Sequence, residues 1–330
     1  MAPGQTEPRF RSVEANGLTH RVALQGPAEG PLILFVHGFP ESWYSWRHQL
    51  DYLGRRGYLC AAPDIRGYGE TDKPAPVEAY DMQSLTQDMA ALAEVLSPQQ
   101  PAIIVGHDWG APIAWNSALI HADRFQAVAC LSVPYLPPGK FPALEVFKKF
   151  FTARGLFFYQ VYFQEEGVAE AELEANPAQL IRKFYYALSG EAPEGTWPKD
   201  KKHGDSLLHR LPEPDLPLAW LTEADVAYYA GQFAASGLRG PLNRYRNSHR
   251  DFAFLKQRSD LKIYQPSLFI GGTKDLVLTS FPGDPVAAMQ PHLPGLMASH
   301  MLEGCGHWTQ QERAETVNTL LYEWVQSVSA

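Results

Sequence analysis

This sequence predicts an α/β fold: a mostly parallel sheet flanked by helices, with a helical segment inserted late in the strand series. Three observations predict it. Short apolar runs of strand length recur between residues 31 and 133 and again at 266–272. They alternate with stretches of helical spacing. From about 141 to 247 the strand signal gives way to helical sequence rich in aromatic residues. Continuous apolar strands, rather than alternating ones, mark a sheet covered by helices on both faces.

The elements follow in order. Residues 31–36, PLILFV, read as a buried strand ending in the turn HGFP, and 58–62, YLCAA, as a second ending in PDIRGYG. Over 82–96, Leu85, Met89, Leu92 and Leu96 share one helical face, with Asp81 as the N-cap and Pro98 beyond the end. Residues 102–105, AIIV, make a third strand and 127–133, AVACLSV, a fourth. VPYLPPGKFP then breaks the pattern, and twelve Phe or Tyr fall between Phe141 and Tyr186. Most of these are expected to pack an inserted cap on the core, with the rest lining a pocket. Strand character returns at 266–272, PSLFIGG, and the chain closes on a helix at about 311–328. Its stripe is Ala314, Val317, Leu321, Trp324 and Val328, and Thr309 with Glu312 reads as a capping box in front of it. The expected division is a core of 1–134 and 248–330 and a cap of 135–247.

Composition excludes several classes. The 330 residues carry a net charge of −8 and no Lys/Arg cluster of the kind that tracks phosphates, so nucleic acid is not an expected partner. Cys60, Cys130 and Cys305 are widely spaced, without a C-x-x-C pair, and are expected to be free thiols in a reducing compartment. The opening MAPGQTEPRFRSVE has no apolar core of a signal peptide, and the apolar run Leu32–Val36 is too short to span a bilayer. The expected location is cytoplasmic. No H-E-x-x-H or other paired-ligand spacing occurs, so neither metal nor organic cofactor is expected.

The chemistry is concentrated at VGHDWGAP, Val105–Pro112. Gly106, Asp108 and Gly110 form G-x-D-x-G, the nucleophile-elbow pattern G-x-S-x-G with aspartate in place of serine. The glycines permit a tight strand-to-helix turn. The following helix, starting near Trp109, offers N–H groups and a favourable dipole to a carboxylate. A nucleophile of this kind is served by a base and by a group that orients the base. Asp275 in GGTKDLVL and His307 in EGCGHWTQ follow in that order, on loops after late strands. HGFP, His37, Gly38, Phe39 and Pro40, adds an oxyanion element, in which the N–H groups of Phe39 and Trp109 would hold developing charge. DIRGYG, Asp64–Gly69, reads as a supporting turn.

Together HGFPESWYSWRHQ, DIRGYG, VGHDWG, FYQVYFQEEGVAEAELE, RYRN, GTKDLVL and GCGHWTQ resemble the epoxide hydrolases of the α/β-hydrolase family, over nearly the whole chain. The likeness is to the soluble epoxide hydrolases, without the N-terminal phosphatase domain of the mammalian form. The resemblance implies an eight-stranded sheet and a lid, with Asp108 as nucleophile, His307 as base and Asp275 as its partner. It also implies that Tyr159 and Tyr245 hold the epoxide oxygen, with Tyr162 a close neighbour of Tyr159 in the motif register. Mammalian relatives have a second glycine where this chain has Ala111, a change expected to matter little. The implied reaction turns lipophilic epoxides into vicinal diols through an aspartyl ester, with water as second substrate and a monomer or homodimer as the working form.

Elementary chemistry fits that implication. A carboxylate is ionised at pH 7 and can attack carbon without a base, whereas a serine must first lose a proton. Phenols stay protonated at pH 7 and can donate to an epoxide oxygen. The alternatives are a haloalkane or haloacid dehalogenase on the same fold, which needs no phenol pair, and a non-catalytic receptor using the same cleft. A serine esterase is disfavoured: no G-x-S-x-G occurs, and GDSL at Gly204–Leu207 reads as a chance match that caps a helix.

Overall fold

The computed structural model describes residues 7–215 and 217–328. Residues 1–6, on which part of the N-terminal signal-peptide reading falls, lie outside the described residues. The strands are β1 (Arg9–Ala15), β2 (Leu18–Gln25), β3 (Leu32–Val36), β4 (Leu59–Pro63), β5 (Ala102–His107), β6 (Phe125–Leu131), β7 (Ser267–Gly272) and β8 (Leu296–Leu302). They form one eight-stranded sheet in the order β1-β2-β4-β3-β5-β6-β7-β8. The β1–β2 and β2–β4 pairs are antiparallel, and every pair from β4 to β8 is parallel.

Every residue of β3, β4, β5 and β7 is buried. Such strands need cover on both faces, which is why they read as unbroken apolar runs. The helices of the core are α1 (Arg47–Gly54), α2 (Met82–Leu96) and α3 (Gly110–Ile120). Between β6 and β7 lie α4 (Ala143–Phe150), α5 (Tyr159–Tyr162), α6 (Val168–Ala175), α7 (Pro177–Ala187), α8 (Glu223–Ser236), α9 (Arg239–Asn243) and α10 (Ser248–Lys256). After β7 come α11 (Leu276–Thr279), α12 (Pro285–Met289), α13 (Thr309–Glu312) and α14 (Ala314–Val328). In the core, α1 packs against α14 and α2 against α3. The Asp81 carboxylate caps α2 by accepting from the Ser84 N–H at 2.8 Å.

Two local expectations are corrected. Thr309 and Glu312 form no capping box: Thr309 starts the separate turn α13, and the long helix begins at Ala314. The Glu312 carboxylate instead accepts from the N–H groups of Gly190, Gly306 and Trp308, at 2.8, 2.9 and 3.1 Å. Three loop donors outcompete one cap, and they tie the inserted segment to the loop after β8. GDSL caps no helix either. Gly204–Leu207 lies in turns, where Asp205 accepts from the Lys202 N–H at 2.7 Å.

Register sets where the chemistry falls. Val36 pairs with Gly106, His107 with Leu131, Leu131 with Ile270, and Gly272 with Leu302. The C-terminal ends of β3, β5, β6, β7 and β8 therefore lie side by side. The segments that leave them carry Phe39, Asp108, Ser132, Asp275 and His307.

Candidate active site

Asp108 sits at φ +50°, in the left-handed region, between the end of β5 and the start of α3. A non-glycine residue there costs about 1–3 kcal/mol and persists only where its surroundings enforce it. The enforcement is steric. A Cβ on Gly106 would lie 2.1 Å from the Gly110 carbonyl oxygen, and one on Gly110 would lie 2.0 Å from that of Val36. A Cβ on Gly38 would meet the Asp108 side chain at 2.4 Å. Three glycines thus let β3, the elbow and α3 close on one another, with the carboxylate held at the apex.

The carboxylate is held at both oxygens. Oδ1 accepts from the Phe39 N–H at 2.7 Å, and Oδ2 lies 3.2 Å from His307 Nε2. The other ring nitrogen of His307 lies 3.0 and 3.1 Å from the two oxygens of Asp275. Asp275 is fully buried and also caps α11 through the Val277 N–H at 2.8 Å. The structure thus brings together Phe39, Asp108, Asp275 and His307. Among the described residues the Trp109 N–H makes no hydrogen bond to Asp108. It stands at the N-cap of α3, where it stays available to a second acceptor.

Burial alone would raise the Asp108 carboxyl, but the His307 hydrogen bond and charge, with lesser help from His107 and the Phe39 N–H, hold it below the usual carboxylate range. Burial would likewise lower His307; Asp275 and then the bond to Asp108 override it and lift the imidazole well above its usual value. Asp108 and Asp275 thus face the two ring nitrogens of His307 from opposite ends.

The two tyrosines come from the inserted helices. Tyr159 opens α5, and Tyr245 lies in the 3-10 turn Arg244–Asn247. Gln164 joins these elements, donating to the carbonyls of Gln160 at 2.7 Å and Tyr245 at 3.0 Å. The rings of Tyr159 and Tyr245 are 5.9 Å apart, and Tyr245 packs edge-on to Phe39, Trp109 and Phe163 at 5.4, 5.2 and 4.9 Å. The Tyr159 hydroxyl accepts from Gln160 at 3.0 Å, which leaves its own proton free to donate. Burial first, and the Asp108 charge second, raise both phenols above their usual values. Tyr162 is committed elsewhere: its hydroxyl donates to Glu172 at 2.8 Å. Position thus separates the two neighbours that the sequence motif leaves close.

One buried group was missed by sequence reasoning. Glu41, fully buried, accepts from the Gly38 N–H at 2.7 Å, lies 2.9 Å from His107 Nδ1 and accepts from Gln310 at 3.0 Å. His107 Nε2 then reaches the main-chain oxygen of His307 at 2.7 Å, an oxygen also held by Ser132 at 2.7 Å. Burial would raise the Glu41 carboxyl, but His107 and the Gly38 N–H hold it below its usual range. Glu41 therefore anchors three segments at once: the oxyanion turn, the elbow and the histidine loop. Its only sequence signal was its place directly after HGFP. Behind the turn, His37 Nε2 accepts from the Ile65 N–H at 3.1 Å, which joins HGFP to DIRGYG. The Phe39–Pro40 peptide is cis.

The family model described as alpha/beta hydrolase fold matches residues 31–314. The chain is 40% identical to Epoxide hydrolase A of Mycobacterium tuberculosis over 319 residues, 96% of this chain and 97% of that protein. The chain belongs to the epoxide hydrolases. Its likeness to Bifunctional epoxide hydrolase 2 of Rattus norvegicus, at 38% identity, covers 90% of this chain but 52% of that protein, about half its length. A solved epoxide hydrolase from an endophytic Streptomyces superposes with a TM-score of 0.92 at 45% identity, covering 98% of this chain and 97% of that one. As in other epoxide hydrolases the fold is α/β-hydrolase, and the protein is an enzyme of the hydrolase class. Among the described residues no group of three or more His, Cys, Asp or Glu could hold a metal ion, and no helix is long and apolar enough to cross a membrane.

Proposed function

We propose that this chain hydrolyses lipophilic epoxides to vicinal diols through an ester of Asp108, with residues 135–247 as the lid over the site. The observation that carries the reading is the doubly held carboxylate: Oδ1 on the Phe39 N–H and Oδ2 facing His307. In the first step Oδ2 attacks an epoxide carbon. The C–O bond of the ring breaks, and the ring oxygen takes a proton at the Tyr159–Tyr245 pair. Ester formation removes the Asp108 charge, which is one of the influences raising both phenols and His307. The phenols become better donors as the alkoxide forms, and His307 becomes easier to deprotonate as a base is needed.

After ring opening the His307 imidazolium proton replaces the one given up by the tyrosine pair. In the second step the neutral imidazole, oriented by Asp275, takes a proton from water, and the hydroxide attacks Cγ of Asp108. The N–H groups of Phe39 and Trp109 hold the oxyanion, and loss of one such donor costs roughly 2.7–4 kcal/mol. The Cγ–O bond to the alkyl group breaks, and the diol leaves with the oxygen that was Oδ2. The proton of the attacking hydroxide passes to the leaving oxygen as the carboxylate re-forms, and the proton taken from water restores His307, so the cycle closes as epoxide plus water to diol. Glu41 acts as a positioning residue for the turn and both histidine segments.

A test follows from the division of labour. His307→Gln is expected to retain ring opening and lose ester hydrolysis. Intact-protein mass spectrometry after incubation with styrene oxide should then show the chain heavier by one epoxide, located on the Asp108 peptide. An unmodified His307→Gln protein, with wild-type enzyme active on the same epoxide, would contradict the ester.

A further inference from the structure

The helix α4 has one broad apolar face, and only part of it packs inward. Leu144 and Phe147, with Phe151 just past the helix end, face inward; Phe151 stacks on Phe158 and Phe147 packs tilted against it, each with centroids 4.4 Å apart. Ala143, Val146 and Phe150 follow one another at helical spacing on the adjoining side, away from Phe158. Phe150 is 49% exposed, Phe141 just before the helix 66% and Leu136 in the preceding proline-rich loop 43%. Large apolar residues clustered on one exposed stretch mark an interaction surface, unlike single exposed ones.

The charge around this stretch is opposite to that of the molecule. Residues 136–158 hold four cations, Lys140, Lys148, Lys149 and Arg154, against one carboxylate, Glu145, in a chain of net charge −8. Glu145 is already engaged by Lys148 and His249, at 3.3 and 3.2 Å. Among the described residues, Lys140, Lys149 and Arg154 have no carboxylate partner. Arg154 lies over the Phe150 ring at 5.6 Å, a cation standing beside the exposed apolar side chain. A second copy of the chain fits poorly, because a two-fold contact would set these cations against themselves. Aromatic side chains flanked by lysine and arginine match an anionic lipid surface, with rings in the acyl boundary and cations among the headgroups.

We propose that α4 and its flanking residues, Leu136 to Arg154, dock the protein peripherally on anionic membranes. No helix among the described residues spans a bilayer, so the contact is interfacial. The same helix touches Phe158, which in turn packs on Tyr159 at 5.0 Å. The inward side of the docked helix is therefore joined by two ring contacts to the candidate active site. The docking itself stands whether or not that site opens epoxides.

Co-sedimentation of the full chain with vesicles tests it. The protein should pellet with phosphatidylglycerol vesicles, pellet far less with phosphatidylcholine vesicles, and be released by about 0.5 M salt, where screening is nearly complete. Lys140→Gln/Lys149→Gln should weaken partitioning about twenty-five-fold, roughly fivefold per cation. Phe141→Ser/Phe150→Ser should weaken it at least tenfold, and both variants should unfold at the wild-type temperature. The proposal fails if the wild-type chain does not pellet with phosphatidylglycerol, or if neither variant weakens binding. It also fails if the Phe141→Ser/Phe150→Ser change abolishes a dimer seen by analytical ultracentrifugation, because a second copy would then be the occupant.

Discussion

The charge of Asp108 reaches His307 across 3.2 Å and the phenols of Tyr159 and Tyr245 through space. The folded pKa of His307 is raised, so its contribution to stability is complete below the ordinary histidine value near 6.5 and is lost as pH rises through the raised one. Activity runs the other way. Ester hydrolysis needs the neutral imidazole, and the ester has no charge on Asp108 to retain the proton. The rate of ester breakdown should rise with pH and level off at a pKa below that of His307 in the free enzyme. Stopped-flow single turnovers against an NMR titration of His307 compare the two; equal values would show that Asp108 does not tune the base. The tyrosines separate similarly. Tyr159→Phe should slow ring opening about 10²-fold, the lower end of a general acid's contribution. Tyr162→Phe removes a hydrogen bond to Glu172 and should cost about 1 kcal/mol of stability, with ring opening changed by no more than a few-fold. Pre-steady-state kinetics and denaturant titration read these two effects.

At the scale of elements, the elbow is a packing problem solved by glycine. Gly110→Ala would place a Cβ 2.0 Å from the Val36 carbonyl, backbone that cannot swing aside as a side chain can. We expect a loss of about 1–3 kcal/mol in urea unfolding, the usual cost of overpacking, together with a loss of turnover as Asp108 shifts off Phe39. Unchanged stability would mean that the turn has slack. The same scale explains which strands were legible. β3, β5 and β7 are buried on both faces and were readable as apolar runs. The sequence reading named neither β1 nor β2. RFRSVEA is mostly exposed and LTHRVALQ mixes polar with apolar positions, and both owe their pairing to partners rather than to composition. β8 alternates half-buried with exposed residues, and its sequence showed only a short apolar run before the histidine loop.

At the scale of the molecule, the site exists because two differently built parts meet. The core supplies Asp108, Asp275 and His307 from three strand ends, and the inserted helices supply Tyr159 and Tyr245. The first three were legible because short motifs and chain order constrain them. The tyrosines rested on family resemblance, and Glu41 had no signal beyond its place after HGFP. Its partner His107 is 66 residues away, and a buried Glu–His contact leaves no local periodicity. The parts are fastened by buried polar contacts: Arg47 of α1 to Asp225 of α8 at 3.3 Å, Tyr185 of α7 to the Pro40 carbonyl at 3.0 Å, and the His307 N–H to the Leu188 carbonyl at 2.9 Å. What this assembly is proposed to accomplish is transfer of an oxygen from Asp108 to the product. A single turnover in 18O-water, with enzyme in excess over styrene oxide, measures it directly. The account predicts unlabelled diol and 18O in the Asp108 peptide; labelled diol with an unlabelled peptide would contradict it.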